Sequence, residues 1–356
     1  MIKHNEGDIL LRILGVLGVK GKCYPQRANK KGFILPLIQS DRSIPVLEWP
    51  TLILLAATYV LWALGTTSLT TLSPVLGILA TAIAITQFCS LQHEALHGHP
   101  FRTAWLNEAL VFPALYPTVP YGRFRATHLA HHHDPSLTDP YDDPESNYFD
   151  PKVWATLPGW VQGLFIANNT LLGRMVIGPV LGTLLWLRGE CHLLRRDRAV
   201  RRDWLLHLGG LVLLALWLSA APMGWAGYLA AAYLATALLK IRTFLEHRAH
   251  EAARARTVIV EDRGPLALLF LNNNLHVVHH MHPQVPWYRL PGLYAANRAH
   301  YLRRNDGYAY RSYAQIFARH FLRAKDPVPH PLMAAPAYTI RRNAGVVPEL
   351  SKNGTP

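Results

Sequence analysis

Charged side chains are scarce in this 356-residue chain. Asp, Glu, Lys and Arg together make up 16% of it, while half of its residues are hydrophobic; ordinary globular domains carry about a quarter charged residues. That balance excludes intrinsic disorder and a coiled coil. Acidic residues are the scarcer kind, 22 against 36 basic ones, for a formal net charge of +14. Cysteine is nearly missing. Cys23, Cys89 and Cys191 are odd in number and far apart, so they supply no disulfide framework, no four-cysteine iron–sulfur site and no CxxCH haem attachment. A reducing, cytosol-facing setting is the expectation. No GxGxxG or GxxxxGKS/T segment occurs, which removes the Gly-rich phosphate loops. No zinc finger or other nucleic-acid module accompanies the positive charge. The 24 glycines and 26 prolines are scattered, without low-complexity tracts.

What the chain has instead is long uncharged runs. No Asp, Glu, Lys or Arg occurs from Trp49 to Gln92 or from Trp204 to Leu239. A helix needs about 20 apolar residues to cross a bilayer, so each run holds two crossings. The first run turns at Gly65–Pro74 and the second at Pro222-Met223-Gly224. The fourth crossing continues through Lys240 and Arg242, whose long stems can snorkel. Runs this long are rare in buried hairpins of soluble helical proteins.

The basic residues orient these spans. Neither turn carries a charge, whereas Lys3 to Arg42 precedes the first run, Arg188 to Arg202 precedes the second, and Arg248, Arg254, Arg256 and Arg263 follow it. The positive-inside rule makes that side the cytoplasm, with anionic membrane lipids as the partner of the charge and no nucleic acid required. Residues 153–187 must then cross zero or two times. They are read as interfacial or re-entrant helices, with a six-span arrangement the weaker alternative. Residues 8–20 read as an interfacial helix rather than a signal peptide. The expected fold is an all-α integral membrane protein with four transmembrane helices as two hairpins and a cytoplasmic histidine-rich domain. Residues 1–48 form a cytoplasmic or interfacial segment, 49–323 the membrane domain, and 324–356 a flexible tail, with both termini and the metal site on the cytoplasmic side.

Histidine is the enriched residue, 19 in all, and eight of them fall in three clusters. These are His93-Glu94-Ala95-Leu96-His97, His128-Leu129-Ala130-His131-His132 and His276-Val277-Val278-His279-His280. On a helix, residues three and four apart share a face. HxxxH therefore presents two imidazoles together, and HxxHH adds a third turned by roughly 100°. Imidazole is a ligand of Fe, Cu and Zn, and eight such residues on one membrane face point to two metals. His247, at the end of the fourth crossing, is a ninth candidate. Asp134, Asp139, Asp142, Asp143 and Glu145 follow the second box; they read either as a solvated loop or as carboxylates that orient ligand imidazoles.

Four spans as two hairpins, with HEALH (93–97), HLAHH (128–132) and HVVHH (276–280), resemble the membrane fatty-acid desaturase and hydroxylase superfamily over about residues 45–300. The resemblance implies a non-haem centre of two Fe ions bound by His93, His97, His128, His131, His132, His276, His279, His280 and His247. It also implies O2 as co-substrate and a lipid or acyl substrate. Electrons are expected from a separate donor of ferredoxin or cytochrome b5 type, since no HPGG-type segment occurs at either end. Glu94, Asp134, Asp142 and Asn273 are the residues expected to support the ligands from behind. In some members an Asn near the fourth-span His holds one iron through water; here Thr243 stands one turn before His247, and Asn272, Asn273 or Asn274 is the substitute. Pro286-Trp287-Tyr288-Arg289-Leu290-Pro291 also resembles bacterial members, carotenoid-modifying ones included. Desaturation of a fatty acyl chain is the leading expectation, and hydroxylation or ketolation of a carotenoid or other lipid the alternative.

Two other classes compete. HEALH matches the HExxH signature of zinc proteases, but Pro100 and Thr103 stand where the extended form has Gly and His, and the other two boxes go unused. A metal transporter would place its ligands near the bilayer midplane, whereas these boxes lie at its edge.

Overall fold

The computed structural model describes residues 47–132 and 136–333. The helix expected over 8–20, Asp134 and the chain beyond Met333 lie outside the described residues. The elements run α1 (Trp49–Thr66), α2 (Ser68–Leu72), α3 (Pro74–Leu96), α4 (Ala104–Leu110), α5 (Tyr121–His131), α6 (Pro151–Thr156), α7 (Gly159–Asn168) and α8 (Leu171–Val176). They continue with α9 (Gly178–Leu194), α10 (Arg198–Ala220), α11 (Gly224–Thr243), β1 (Ile259–Val260), α12 (Pro265–Leu269), α13 (His276–Met281), α14 (Leu290–Arg304), β2 (Ala309–Tyr310) and α15 (Tyr313–His320). The fold is mostly helical; its only sheet among the described residues is the parallel pair β1–β2.

Four helical stretches are long and apolar enough to cross a membrane: Trp49–Leu72, Pro74–Leu96, Arg198–Ala220 and Gly224–Thr243. Between residues 153 and 187 no helix among the described residues reaches that length. The turn expected at Gly65–Pro74 is shorter than anticipated. Helix resumes at Ser68 and lengthens the first stretch, and the chain reverses only at Ser73-Pro74, where the Ser73 side chain accepts from the Leu76 N–H. Three threonines sustain the extra turn by returning their hydroxyls to backbone oxygens, Thr67 to Ala63, Thr70 to Gly65 and Thr71 to Thr67. The second reversal, at Pro222-Met223-Gly224, falls where expected, with Gly224 at φ +63.

The helix α3 is the centre of the bundle and packs along both α1 and α11. Its residues Ile85 and Phe88 are fully buried, with Leu214, Leu218, Tyr228 and Ala231 around them. Tyr228 ties this core together, accepting from Trp62 Nε1 at 3.0 Å and donating to the Leu115 carbonyl at 2.5 Å. The outward faces keep Ile53, Val60, Leu79, Leu205, Leu216 and Leu229 exposed, a belt of apolar side chains that needs lipid rather than water around it. The α1–α3 contact is close because it uses glycines: a Cβ on Gly77 would fall 2.8 Å from the Gly65 carbonyl oxygen, and one on Gly65 would fall 2.5 Å from Thr81 Oγ1.

Two expectations require correction. The stem of Lys240 does not run along the outer face but lines a partly open cavity, and Arg242 is buried in an ion pair with Glu246 at 2.9 Å. Low-dielectric surroundings favour pairing or enclosure over a stem stretched along lipid. Residues 325–330, expected in a flexible tail from Ala324, are instead bonded into the structure. Lys325 N–H donates to the Asn169 carbonyl, the Val328 carbonyl accepts from Phe149 N–H, and His330 N–H returns to the Phe149 carbonyl. These backbone bonds, with Val328 packed against Phe149 and Phe165, hold the segment.

Candidate metal centre

Each histidine box sits where a helix stops. The last turn of α3 carries His93, and His97 caps it. The helix α5 ends on His128 and His131, with His132 next. The short helix α13 opens at His276 and carries His279 and His280; it is preceded by Leu271 and Asn272 at φ +52 and +54, a reversal that non-glycine residues adopt only when their surroundings impose it. There Asn272 Nδ2 donates to the Trp287 carbonyl and Asn274 Nδ2 to the Val260 carbonyl. His247 lies beyond α11, bridged to Thr257.

The nine rings resolve into two groups. His93, His97, His128, His132 and His279 form one, and His131, His247, His276 and His280 the other; within each group the ligand atoms lie within 4.8 Å of one another. The two HxxHH boxes are split between the groups in the same way. Positions i and i+4 go to one group and position i+3 to the other, as His128/His132 against His131 and His276/His280 against His279. A residue adjacent in a helix is turned by about 100°, which aims its ring at the neighbouring group.

Three rings are held from behind. His131 Nδ1 lies 2.7 Å from Asp143 Oδ1, His128 Nδ1 3.0 Å from Glu145 Oε1, and His276 Nδ1 2.9 Å from Asn273 Oδ1. Each oxygen can accept from Nδ1–H, and in the neutral ring that leaves the lone pair on Nε2. Those Nε2 atoms then converge: His131 on His247 at 2.8 Å, His276 on His247 at 3.2 Å, His128 on His132 at 3.0 Å and His279 on His132 at 3.2 Å. Facing lone pairs repel at such distances, and a cation among them turns the repulsion into coordination. His93 Nε2 and His97 Nε2 are buried without a hydrogen-bond partner. The donor set therefore fits a metal ion in each group, and all-imidazole donors suit iron, copper or zinc.

The electrostatics agree with the geometry. Burial, then the neighbouring His128, His99 and His280, hold the His97 ring down to about 2. Burial and the other imidazoles likewise hold His132, His247, His276 and His279 low, so these rings stay neutral, the form that ligates. His131 departs from the pattern: burial lowers it, but Glu145 and Asp143 outweigh that and raise it to about 9. Burial would raise Glu145, yet His131 and His128 hold its carboxyl well below the usual range.

The supporting residues differ in part from expectation. Asn273 holds His276. Asp142 is exposed, its N–H bonded to the Asp139 carboxylate; the loop turns so that Asp143 and Glu145 reach the rings. Glu94 is buried but accepts from the Trp287 N–H at 3.1 Å, its carboxylate 3.9 Å from His93 Nδ1. His99 pairs with Glu48 at 2.7 Å, away from both groups. One support has no sequence signal: Lys325 Nζ donates to the His247 carbonyl at 2.7 Å, across 78 positions.

Residues 69–313 match the family model described as fatty acid desaturase. The chain belongs to the fatty acid desaturase family. All three boxes and His247 lie inside the matched range, and membership carries a lipid substrate and a membrane setting with it. A β-carotene ketolase of Paracoccus sp. (strain N81106 / MBIC 01143) is 25% identical over 216 residues, 56% of this chain and 71% of that protein. Beside the four-histidine group this desaturase-family protein has a partly open cavity of about 520 Å³, reached by His247, Asp143 and Glu145. Such a volume lies within the range of small-molecule sites, roughly 300–1,000 Å³. Phe149, Phe165, Leu181, Leu185 and Trp186 give it apolar lining, and Arg123, Arg174, Lys240 and Arg242 bring positive charge to it.

Proposed function

We propose that this protein uses O2 to oxidise an unactivated C–H bond of a lipid at two irons, one in the five-histidine and one in the four-histidine group, and that the product is an alkene in a fatty acyl chain. The supporting observation is the interleaving of nine imidazoles, with Nε2 atoms facing one another at 2.8–3.2 Å. When bound, the irons supply the O2 activation and the two-electron oxidation that C–H cleavage needs. The protein's part is positional. Asp143, Glu145 and Asn273 keep the Nδ1 proton on His131, His128 and His276 and aim Nε2 inward. His93, His128, His131, His276 and His279 are all buried, which keeps bulk water from the reacting centre. The cavity beside His247 is the place for the lipid.

The helices α3 and α11 both end at the histidines, so they run toward the same membrane face, and α10 starts from an arginine-rich segment at its own beginning. The positive-inside rule then puts the metal site on the cytoplasmic side, where a separate ferredoxin or cytochrome b5 type donor delivers electrons.

The test is fatty-acid analysis by gas chromatography–mass spectrometry in a host expressing the wild type or His279→Ala with a reductase system. A new unsaturated acid, absent with the variant, is expected; an unchanged fatty-acid profile with iron in the purified protein would remove the acyl reading. The similarity to a β-carotene ketolase favours a second reading, hydroxylation or ketolation of a carotenoid at the same centre. An oxygenated pigment in a carotenoid-producing host would select it.

A further inference from the structure

Most charges around the cavity are matched. Arg123 donates two hydrogen bonds to Glu190, Nε to Oε2 at 2.7 Å and Nη2 to Oε1 at 2.9 Å. Arg242 pairs with Glu246, Glu145 with His128 and Asp143 with His131. Two cations are left over. Lys240, in the last turn of α11 and two residues before Arg242, forms no hydrogen bond and no ion pair among the described residues. Arg174 is buried and bonded only to neutral oxygens, the Asn168 carbonyl, Asn147 Oδ1 and Asn169 Oδ1. Burial pulls its guanidinium down to about 10, with Asp326 offsetting part of that.

These two side chains share a corner. A Cβ built on Gly178 would meet Asn168 Oδ1 at 3.3 Å, Arg174 Cδ at 3.4 Å and Lys240 Cγ at 3.7 Å, and one on Gly182 would meet Lys240 Nζ at 3.7 Å. The two glycines, a helical turn apart on α9, thus leave room where Arg174 and Lys240 come together. A buried ammonium without a close partner costs free energy unless something pairs with it, and beside a cavity of a membrane protein such a group marks a ligand or ion path.

The geometry points to an anionic oxygen head, carboxylate or phosphate, bound by Lys240 and Arg174 in this corner, with the apolar body of the same molecule lying along Phe149, Phe165, Leu181, Leu185 and Trp186. This deepens the lipid-oxidation reading and rests on it. It names the substrate class as an acid-headed amphiphile rather than a neutral hydrocarbon.

The experiment measures equilibrium binding of radiolabelled palmitate, hexadecyl phosphate and methyl palmitate to the purified full-length protein, with iron content determined on the same sample. Wild type is expected to bind one or both acids and to bind methyl palmitate much more weakly. Lys240→Met is expected to weaken the acid by about tenfold or more, the scale of a lost charge-assisted bond. Lys240→Arg should retain binding, and Gly182→Val, which fills the space at Nζ, should lose it. Dependence of palmitate alone on Lys240 assigns a carboxylate head, and of hexadecyl phosphate alone a phosphate head. Thermal unfolding controls for misfolding; removal of an unpaired cation predicts a Lys240→Met melting temperature at or above that of wild type. Methyl palmitate bound as tightly as the acids, or acids bound equally by Lys240→Met, would overturn the assignment even with both irons present. Acid binding that depends on Lys240 in a protein that takes up no iron would instead sink the oxidation reading and leave this site standing.

Discussion

Asp143 and Glu145 are separated by a single proline, yet they serve different rings and, through them, different histidine groups. Removing the acceptor from one should therefore affect one group more than the other. Asp143→Asn keeps the shape but weakens the hold on the His131 Nδ1 proton. Metal affinity in the four-histidine group is expected to fall by about 10–100-fold, as for other residues that orient ligand imidazoles, with the five-histidine group less affected. Stepwise iron titration resolves the two; equal weakening of both would contradict the grouping. The same partition predicts that His279→Ala and His280→Ala, neighbours on α13, each lose one of the two irons, but from different groups. Metal-centre spectroscopy on each variant distinguishes which remains. The boxes themselves were legible residue by residue, because i, i+3 and i+4 spacing has one geometric meaning on a helix. Asp143 was not separable from Asp142, because a loop's turn is set by what it packs against, and no periodicity says which of two adjacent carboxylates faces inward.

At the level of elements, the contact between α1 and α3 depends on small residues, as helix packing in lipid generally does. Gly77→Ala would place its Cβ 2.8 Å from the Gly65 carbonyl oxygen of α1 and 2.7 Å from the Thr70 Cα of α2, backbone atoms that cannot rotate away. Overpacking of this kind costs about 1–3 kcal/mol, and unfolding in denaturing detergent should show the loss while the folded fraction keeps its iron. The spans were readable because uncharged length alone identifies them. Their partners were not: the sequence suggests two hairpins of equal standing, while in the structure α3 packs on α11 as closely as on α1. Side-chain fit between helices, through Tyr228, Phe88 and Ala231, decides that, and hydropathy carries no record of fit.

The whole molecule is assembled on the histidines, which come from α3, α5, the segment after α11, and α13. Metal binding should therefore add to global stability, because the folded protein binds the ions and the unfolded chain does not. Chelation is expected to lower the melting temperature and iron(II) to restore it; a melting temperature indifferent to both would argue against metal in either group. Lys325 tests a longer connection. Its Nζ holds the His247 carbonyl while Leu172 N–H donates to the Phe321 carbonyl, so the 321–330 segment braces the four-histidine group. Lys325→Met is expected to loosen that group and reduce its iron occupancy, with the five-histidine group retained. Equal occupancy in both would show that the brace is dispensable.

The sequence by itself determined the four apolar stretches, the three boxes and the ninth histidine, because each depends on local composition or helical spacing. The tertiary structure decided how nine rings divide into five and four, which carboxylates stand behind them, and that Lys240 faces a cavity beside Arg174. Those outcomes depend on contacts between residues tens to hundreds of positions apart, and only the packed chain brings such residues together.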